Sequence, residues 1–212
     1  MALHWVTYFH AMQVAGVAIG MLALYTFPVI TVLLEPFFQG TRLAGKDIIA
    51  ALIVVIGIAL MASDKFNGVN ASLLSGLFWG VISALLFSLR NLIQKYHLAH
   101  ISTDKSILHQ FIAVALVLFC FVDYQAVGTL SVKDIWLLLA LGIFTTAGAH
   151  TLLVAALKHL PVKTVAMLGC LQPVIGALLA WLVLDEVISL SIVVGGSIVL
   201  LVALYESVRR SP

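Results

Sequence analysis

The chain has 212 residues, of which 63% are hydrophobic and 9% charged, and its mean hydropathy is +1.17. Soluble domains carry roughly 25% charged residues, so a soluble fold of this length has too little polar surface to coat so much apolar side chain. The net charge is only +2, and the Lys and Arg residues are scattered without aromatic interleaving, which argues against a nucleic-acid surface. A lipid bilayer removes the conflict, and the expected fold class is all-α, a polytopic membrane helix bundle.

A helix needs about 20 apolar residues to cross the hydrocarbon core, and bilayer-exposed backbone has no water to bond, so spanning segments are helical. Such runs give eight segments in chain order. The first is short, Ala2 to Ala15. The second is Val17 to Phe38, the third Asp47 to Ala62, the fourth Leu73 to Tyr96 and the fifth Ser106 to Val122. The sixth is Asp134 to Leu160, the seventh Val162 to Leu184 and the eighth Ile188 to Glu206. The loops hold turn-formers and charge: Gly40-Thr41-Arg42, Asp64-Lys65-Phe66-Asn67-Gly68, and Asp123 through Gly128. The N-terminus has no basic n-region and no small-residue cleavage site. Cys120 and Cys170 sit inside apolar runs and read as small buried hydrophobes.

Lys and Arg set the orientation. With a cytoplasmic C-terminal tail, Arg42, Lys46, Arg90, Lys95, Lys105, Lys158, Lys163, Arg209 and Arg210 share one side. Only Lys65 and Lys133 fall on the other, a nine-to-two division that follows the positive-inside rule.

Two stretches match at an offset of 145 residues: His10-Ala11-Met12 with Ala155-Ala156-Leu157, and Pro28-Val29-Ile30-Thr31-Val32-Leu33-Leu34 with Pro173-Val174-Ile175-Gly176-Ala177-Leu178-Leu179. Segments one to three therefore match segments six to eight. Five segments is an odd offset, so the copies are expected to enter the membrane from opposite sides, as inverted transporter repeats do. Segments four and five lack first-half partners, and Met1 aligns with Thr146 inside segment six. The repeat thus predicts about 75 further residues upstream, two helices and the front of a third.

At this point the sequence becomes specific. Leu3-His4-Trp5 through Tyr25-Thr26-Phe27-Pro28-Val29 to Gly40-Thr41-Arg42-Leu43 resembles the first EamA-type repeat of the drug/metabolite transporter superfamily. Ala155 through Pro161, Gln172-Pro173-Val174 and Asp185-Glu186 resemble the second. The resemblance implies ten helices in two inverted five-helix halves, with both termini cytoplasmic and one central substrate cavity. The chain would hold residues 1–64 as the last part of the first repeat and 72–208 as the second. It also implies an integral protein of a bacterial plasma membrane. The family pattern has Gly-Glu after the fourth helix, where this chain has Gly40-Thr41, while the second copy keeps Glu186.

Pro28 and Pro173 fall near the centres of segments two and seven. Each withholds one helical hydrogen bond, from the carbonyl of Leu24 or Gly169, and tends to kink its helix. A paired hinge lining a cavity and a static packing kink are the two readings. Segment four places Trp79, Ser83, Leu86 and Arg90 on one face at spacings of 4, 3 and 4. Arginine at the bilayer centre costs roughly 2.5–3.5 kcal/mol on insertion scales, so Arg90 either snorkels to the interface or faces the cavity and binds an anionic group or a carboxylate, with Asn91 assisting. Segment two aligns Tyr25, Pro28, Val32 and Glu35. Glu35 is a candidate for proton coupling, a partner for Arg90, or an interfacial acid beside Arg42. His4, Trp5, Tyr8 and His10 load segment one with aromatic and imidazole groups, and His150 takes the repeat position of Trp5. These residues, with Gln172, are candidate polar walls of a cavity, and histidine can carry protons near neutral pH. Gly16 to Gly20 and Gly76 to Gly80 both read Gly-x-x-x-Gly, a spacing for close helix approach.

No His-Glu-x-x-His, Gly-x-Ser-x-Gly or P-loop is present, and no apolar segment holds paired aspartates. His97 and His100 have ligand-like spacing but lie at a loop. No cofactor or metal is implied. The expected partners are the lipid bilayer and a small-molecule substrate, and the expected function is its transport, as export by alternating access. An inactive fragment of such a permease and an intramembrane enzyme are the alternatives.

Overall fold

The structure is a computed structural model, and it describes residues 1–61, 63, 71–184 and 189–208. The division between residues 64 and 72, and Lys65, Asp185, Glu186, Arg209 and Arg210, lie outside the described residues. Helices α1 (Ala2–Ala15), α2 (Val17–Leu24), α3 (Phe27–Gln39), α4 (Gly45–Met61), α5 (Ala71–Tyr96) and α6 (Thr103–Phe119) come first. A short α7 (Tyr124–Val127) leads into α8 (Val132–Ala140), a π-helical stretch (Leu141–Gly148) and α9 (Ala149–His159). Then follow α10 (Val162–Gly169), α11 (Gln172–Leu184) and α12 (Leu190–Val208). Among the described residues no strand occurs. Among the described residues four stretches are long and apolar enough to cross a membrane, Ile19–Gln39, Ala71–Tyr96, Val132–His159 and Val162–Leu179, and Leu190–Tyr205 is a shorter apolar helix. The outward faces carry large apolar side chains such as Phe37, Phe144, Leu152 and Trp136, as a lipid-facing surface requires.

Three expected segments are not continuous helices. Segment two breaks at Tyr25 and Thr26, segment seven at Cys170 and Leu171, and segment six passes through the π-helical stretch. Each break falls between the proline and the residue four before it, Leu24 or Gly169, which is where a proline interrupts a helix, and each proline stands in the first turn of the helix that follows.

The repeat is carried by the backbone. Adding 145 to both bounds of α2 gives the bounds of α10, and adding it to those of α3 gives those of α11. The bonding at the interruptions recurs at the same offset. Thr26 N donates to Ala23 O at 3.2 Å and Leu171 N to Leu168 O at 3.0 Å; Ile30 N donates to Thr26 O at 3.3 Å and Ile175 N to Leu171 O at 2.9 Å.

Helix α5 is the scaffold on which α1, α2 and α3 pack. Gly76 and Gly80 make this possible, because a Cβ on either would overlap the Cβ of Ala15 or Ala23. Their Gly-x-x-x-Gly is therefore a packing motif. Gly16 is different: its φ of 87° turns α1 into α2, and nothing lies within 4 Å of where its Cβ would be. Helices α4 and α12 also meet backbone to backbone. Gly57 faces Val199 while Met61, one turn on, faces Gly195, one turn back, so the two run antiparallel.

The connections after α3, α5 and α9 converge at one end. Gln39 donates to Tyr96 Oη, Lys95 Nζ to the Lys158 carbonyl at 3.2 Å, and Lys163 pairs with Asp47. These are three of the connections that the charge count assigns to one side, and this end is called the basic end below.

Candidate substrate cavity

The two interruptions border a cavity of about 290 Å³. Its wall takes equivalent positions from the two copies: His4 and Ala149, Trp5 and His150, Tyr8 and Leu153, Leu24 and Gly169, Phe27 and Gln172. Leu24 and Gly169 are the residues whose carbonyls have no N–H to accept from Pro28 or Pro173. Phe87 and Asn91 of α5 and Thr145 of the π-helical stretch complete the polar and aromatic lining. The π-helical stretch carries Thr145 into the wall, and the Thr145 hydroxyl bonds the Leu141 carbonyl at 2.7 Å, a use of π-helix geometry that recurs at functional sites.

Each polar group has a defined setting. His4 Nδ1 lies 3.0 Å from the Ser83 carbonyl and 2.7 Å from Ser83 Oγ, and Ser83 Oγ donates to the His4 carbonyl at 3.0 Å. A carbonyl only accepts, so His4 Nδ1 carries the hydrogen and the other ring nitrogen, Nε2, is an acceptor. His4 also packs on Phe87, with ring centroids 4.9 Å apart. Tyr25 Oη donates to Gln172 Oε1 at 3.1 Å, joining the two interruptions. Trp5 and His150 face each other at 5.9 Å across the repeat. His150 Nδ1 is buried and has no hydrogen-bond partner among the described residues.

Of the residues singled out in the sequence, His4, Trp5, Tyr8, Tyr25, Asn91, His150 and Gln172 line this cavity. Ser83 stands behind His4. Pro28 and Pro173 open the helices that follow the interruptions. Trp79 and His10 lie elsewhere, ring centroids 5.2 Å apart, in a separate groove with Gln13, Leu118 and Phe121. Arg90 adjoins the cavity through Asn91, to whose Oδ1 its Nη1 donates at 2.8 Å, while its Nε donates to Gln110 Oε1 at 2.7 Å. His97 packs edge-on against Phe38. The sequence analysis did not single out Phe27, Phe87, Leu153 or Thr145. Repeat arithmetic points to two of them, because Phe27 is the counterpart of Gln172 and Leu153 of Tyr8.

Glu35 forms no ion pair with Arg90. It is 2% exposed, and its carboxylate accepts Val162 N at 2.8 Å, Lys163 N at 3.1 Å and Tyr96 Oη at 2.8 Å. It thereby caps the N-terminus of α10, where free N–H groups and the helix dipole favour an anion. Between this cap and the cavity lie the buried side chains of Leu92, Leu157, Val162 and Val165. The basic end thus holds an apolar cluster and, beyond it, the polar contacts of Glu35, Tyr96, Lys163 and Asp47, called the latch below.

A helix bundle with long apolar spans and an internal cavity bordered by two interrupted helices is the build of a membrane carrier. The model of the EamA-like transporter family matches residues 1–63 and 74–205, and the chain belongs to that family. The uncharacterized transporter YxxF of Bacillus subtilis is 25% identical over 177 residues, covering 83% of this chain and 57% of its own. An uncharacterized transporter of Archaeoglobus fulgidus is 25% identical over 196 residues, 92% of this chain and 68% of its own. The chain thus spans less than two thirds of the Bacillus relative. A protein of known crystal structure superimposes with a TM-score of 0.82 over 97% of this chain and 74% of its own, at 21% identity, a likeness of fold. Family and relatives alike are transporters of unstated substrate.

Proposed function

We propose that the chain, as part of a permease, exports a small metabolite or drug-like molecule by alternating access through the 290 Å³ cavity. The observation that carries this reading is the pairing of the wall, in which equivalent positions of two copies meet at two interrupted helices. A site at a repeat interface lets each half rock against the other around the substrate. The antiparallel run of α4 and α12 supports the inverted relation of the copies, because a two-fold axis in the membrane plane turns equivalent helices antiparallel. The latch of Glu35, Tyr96, Lys163 and Asp47 supports a state closed at the basic end, assigned to the cytoplasm by the positive-inside rule. The membrane is the plasma membrane and the C-terminus is cytoplasmic.

Two measurements test this. Single cysteines placed at Gly40 and Lys158 are expected to react only from the cytoplasmic side of intact cells; labelling from opposite sides sinks the architecture. Proteoliposomes holding the chain are expected to show saturable flux that Trp5→Ala abolishes. Absence of flux, restored when the chain is extended upstream, would favour the fragment reading.

A further inference from the structure

The corner of the cavity beside Asn91 holds a charge that the protein does not neutralise. Arginine stays protonated in proteins. Arg90 spends Nε on Gln110 and Nη1 on Asn91, both neutral amides, and its buried Nη2 has no partner among the described residues. No carboxylate among the described residues pairs with it. Glu35 is committed to the α10 cap, and Gln110 is held by Gln94 and Ser106, again without an acid.

The same corner holds a second orphan. Phe111, the residue after Gln110, meets the His150 ring at 6.3 Å, so α6 touches both the Arg90 head and His150, and His150 and the Asn91 that Arg90 holds line the same cavity. Because Asn91 gives its oxygen to Arg90, its amide hydrogens are what it can offer the cavity. This corner therefore presents donors and a positive charge. The facing wall is aromatic, from Trp5, Tyr8 and Phe87.

We propose that the substrate bears an anionic group, a carboxylate in the simplest case, seated between Arg90 Nη2 and His150 Nδ1, with its apolar body against Trp5, Tyr8 and Phe87. The proposal rests on the cavity being the substrate site and adds the chemical class of the substrate. A carboxylate satisfies both orphan nitrogens through charge-assisted hydrogen bonds, and the planar guanidinium suits it geometrically.

The test is binding, measured apart from flux. The full chain in phosphatidylcholine nanodiscs is titrated calorimetrically with phenylacetate and with its neutral isostere, phenylacetamide. Phenylacetate is expected to saturate and to bind at least tenfold more tightly than the amide. Arg90→Gln should erase that preference, and Arg90→Lys, which keeps the charge, should retain part of it. Equal affinities in the wild type, a preference that survives Arg90→Gln, or no saturable phenylacetate binding overturns the proposal. Should Arg90→Gln not fold, His150→Phe replaces it: acid binding at least threefold weaker with the amide unchanged supports the site, and unchanged acid binding overturns it. Acid-selective binding without vesicular flux, in this chain and in one extended upstream, leaves the anion site standing and removes the transport reading. Flux without acid preference does the reverse.

Discussion

Across the cavity, α2 and α3 present Leu24 and Phe27 where α10 and α11 present Gly169 and Gln172. At the neighbouring positions α1 offers His4, Trp5 and Tyr8, and α9 offers Ala149, His150 and Leu153. The bounds of α2 and α3 recur to the residue in α10 and α11, down to the i→i−3 bond at each interruption. The side chains are not: the first copy gives bulk and aromatic surface, the second gives room, an amide and an imidazole. Repetition thus supplies a scaffold with two interruptions, and divergence between the copies supplies recognition. For the proposed function this matters, because a cavity with identical halves would hold an asymmetric molecule equally well in two orientations.

The latch sharpens this contrast most. Glu35 of the first copy has Ala180 at its repeat position, so only the first copy can cap its partner's helix with an acid. Removing that carboxylate leaves the amides of Val162 and Lys163 and the Tyr96 hydroxyl without their acceptor in a buried place. Glu35→Ala is expected to lower unfolding stability by about 3 kcal/mol, and Glu35→Gln by about half as much, since bonds to a charged group are stronger and orphaned donors cost their full desolvation. Denaturant unfolding in nanodiscs measures both. Equal stability of Glu35→Ala and wild type would remove the latch from the account.

The α4–α12 seam is where the copies meet as equals. A Cβ on Gly195 would lie 2.7 Å from Met61 Cγ and 2.8 Å from Met61 N, and would also overlap the Gly57 carbonyl. Backbone gives way poorly, so Gly195→Ala should cost about 2 kcal/mol, in the usual range for overpacking. Gly176→Ala is the control: nothing lies within 4 Å of its Cβ position, and alanine's helix propensity should stabilise by up to about 1 kcal/mol. Like losses in the two variants would show that the seam has no special closeness.

How far the sequence told this story depends on the range of each interaction. Hydropathy located every segment to within a few residues, because lipid imposes its length rule on each helix separately. The 145-residue offset carried over because the Pro-Val-Ile core marks the turn where each new helix starts. Proline marked the interruption: the chain breaks at Tyr25 and Cys170, within the four residues before each proline, where the helices change to i→i−3 bonding. His4, Trp5, Tyr8, Tyr25, Asn91, His150 and Gln172 were legible as polar or aromatic side chains in apolar surroundings. Trp79 has the same appearance but lies in another groove, since which side of α5 faces the cavity depends on how α1 and α6 pack against it. The role of Glu35 was hidden for the same reason. Its partners Val162 and Lys163 give backbone N–H groups, which leave no trace in a sequence, 127 and 128 residues away. Likewise Ser83 reads as one small polar residue among many until His4 is placed against it, 79 positions distant.

At the centre of the cavity one hydrogen bond joins the copies directly. Ser88 first fixes the near side: its hydroxyl donates to the Phe27 carbonyl at 3.1 Å and accepts from Thr31 at 3.0 Å, which ties the first interruption to α5. Ser88→Ala loses both bonds in a buried place and should cost about 1 kcal/mol. The Tyr25–Gln172 bond then spans the gap. Interhelical bonds inside membrane proteins average about 0.6 kcal/mol, because the loosened state also finds partners, so Tyr25→Phe should destabilise by about that much. Its informative readout is a cycle with Gln172→Leu. If the bond couples the two interruptions, the double variant loses less than the sum of the single ones by about 0.6 kcal/mol. Additive losses would mean that the halves meet at the cavity without holding each other. The rocking motion would then have to be restrained by the α4–α12 seam and the latch alone.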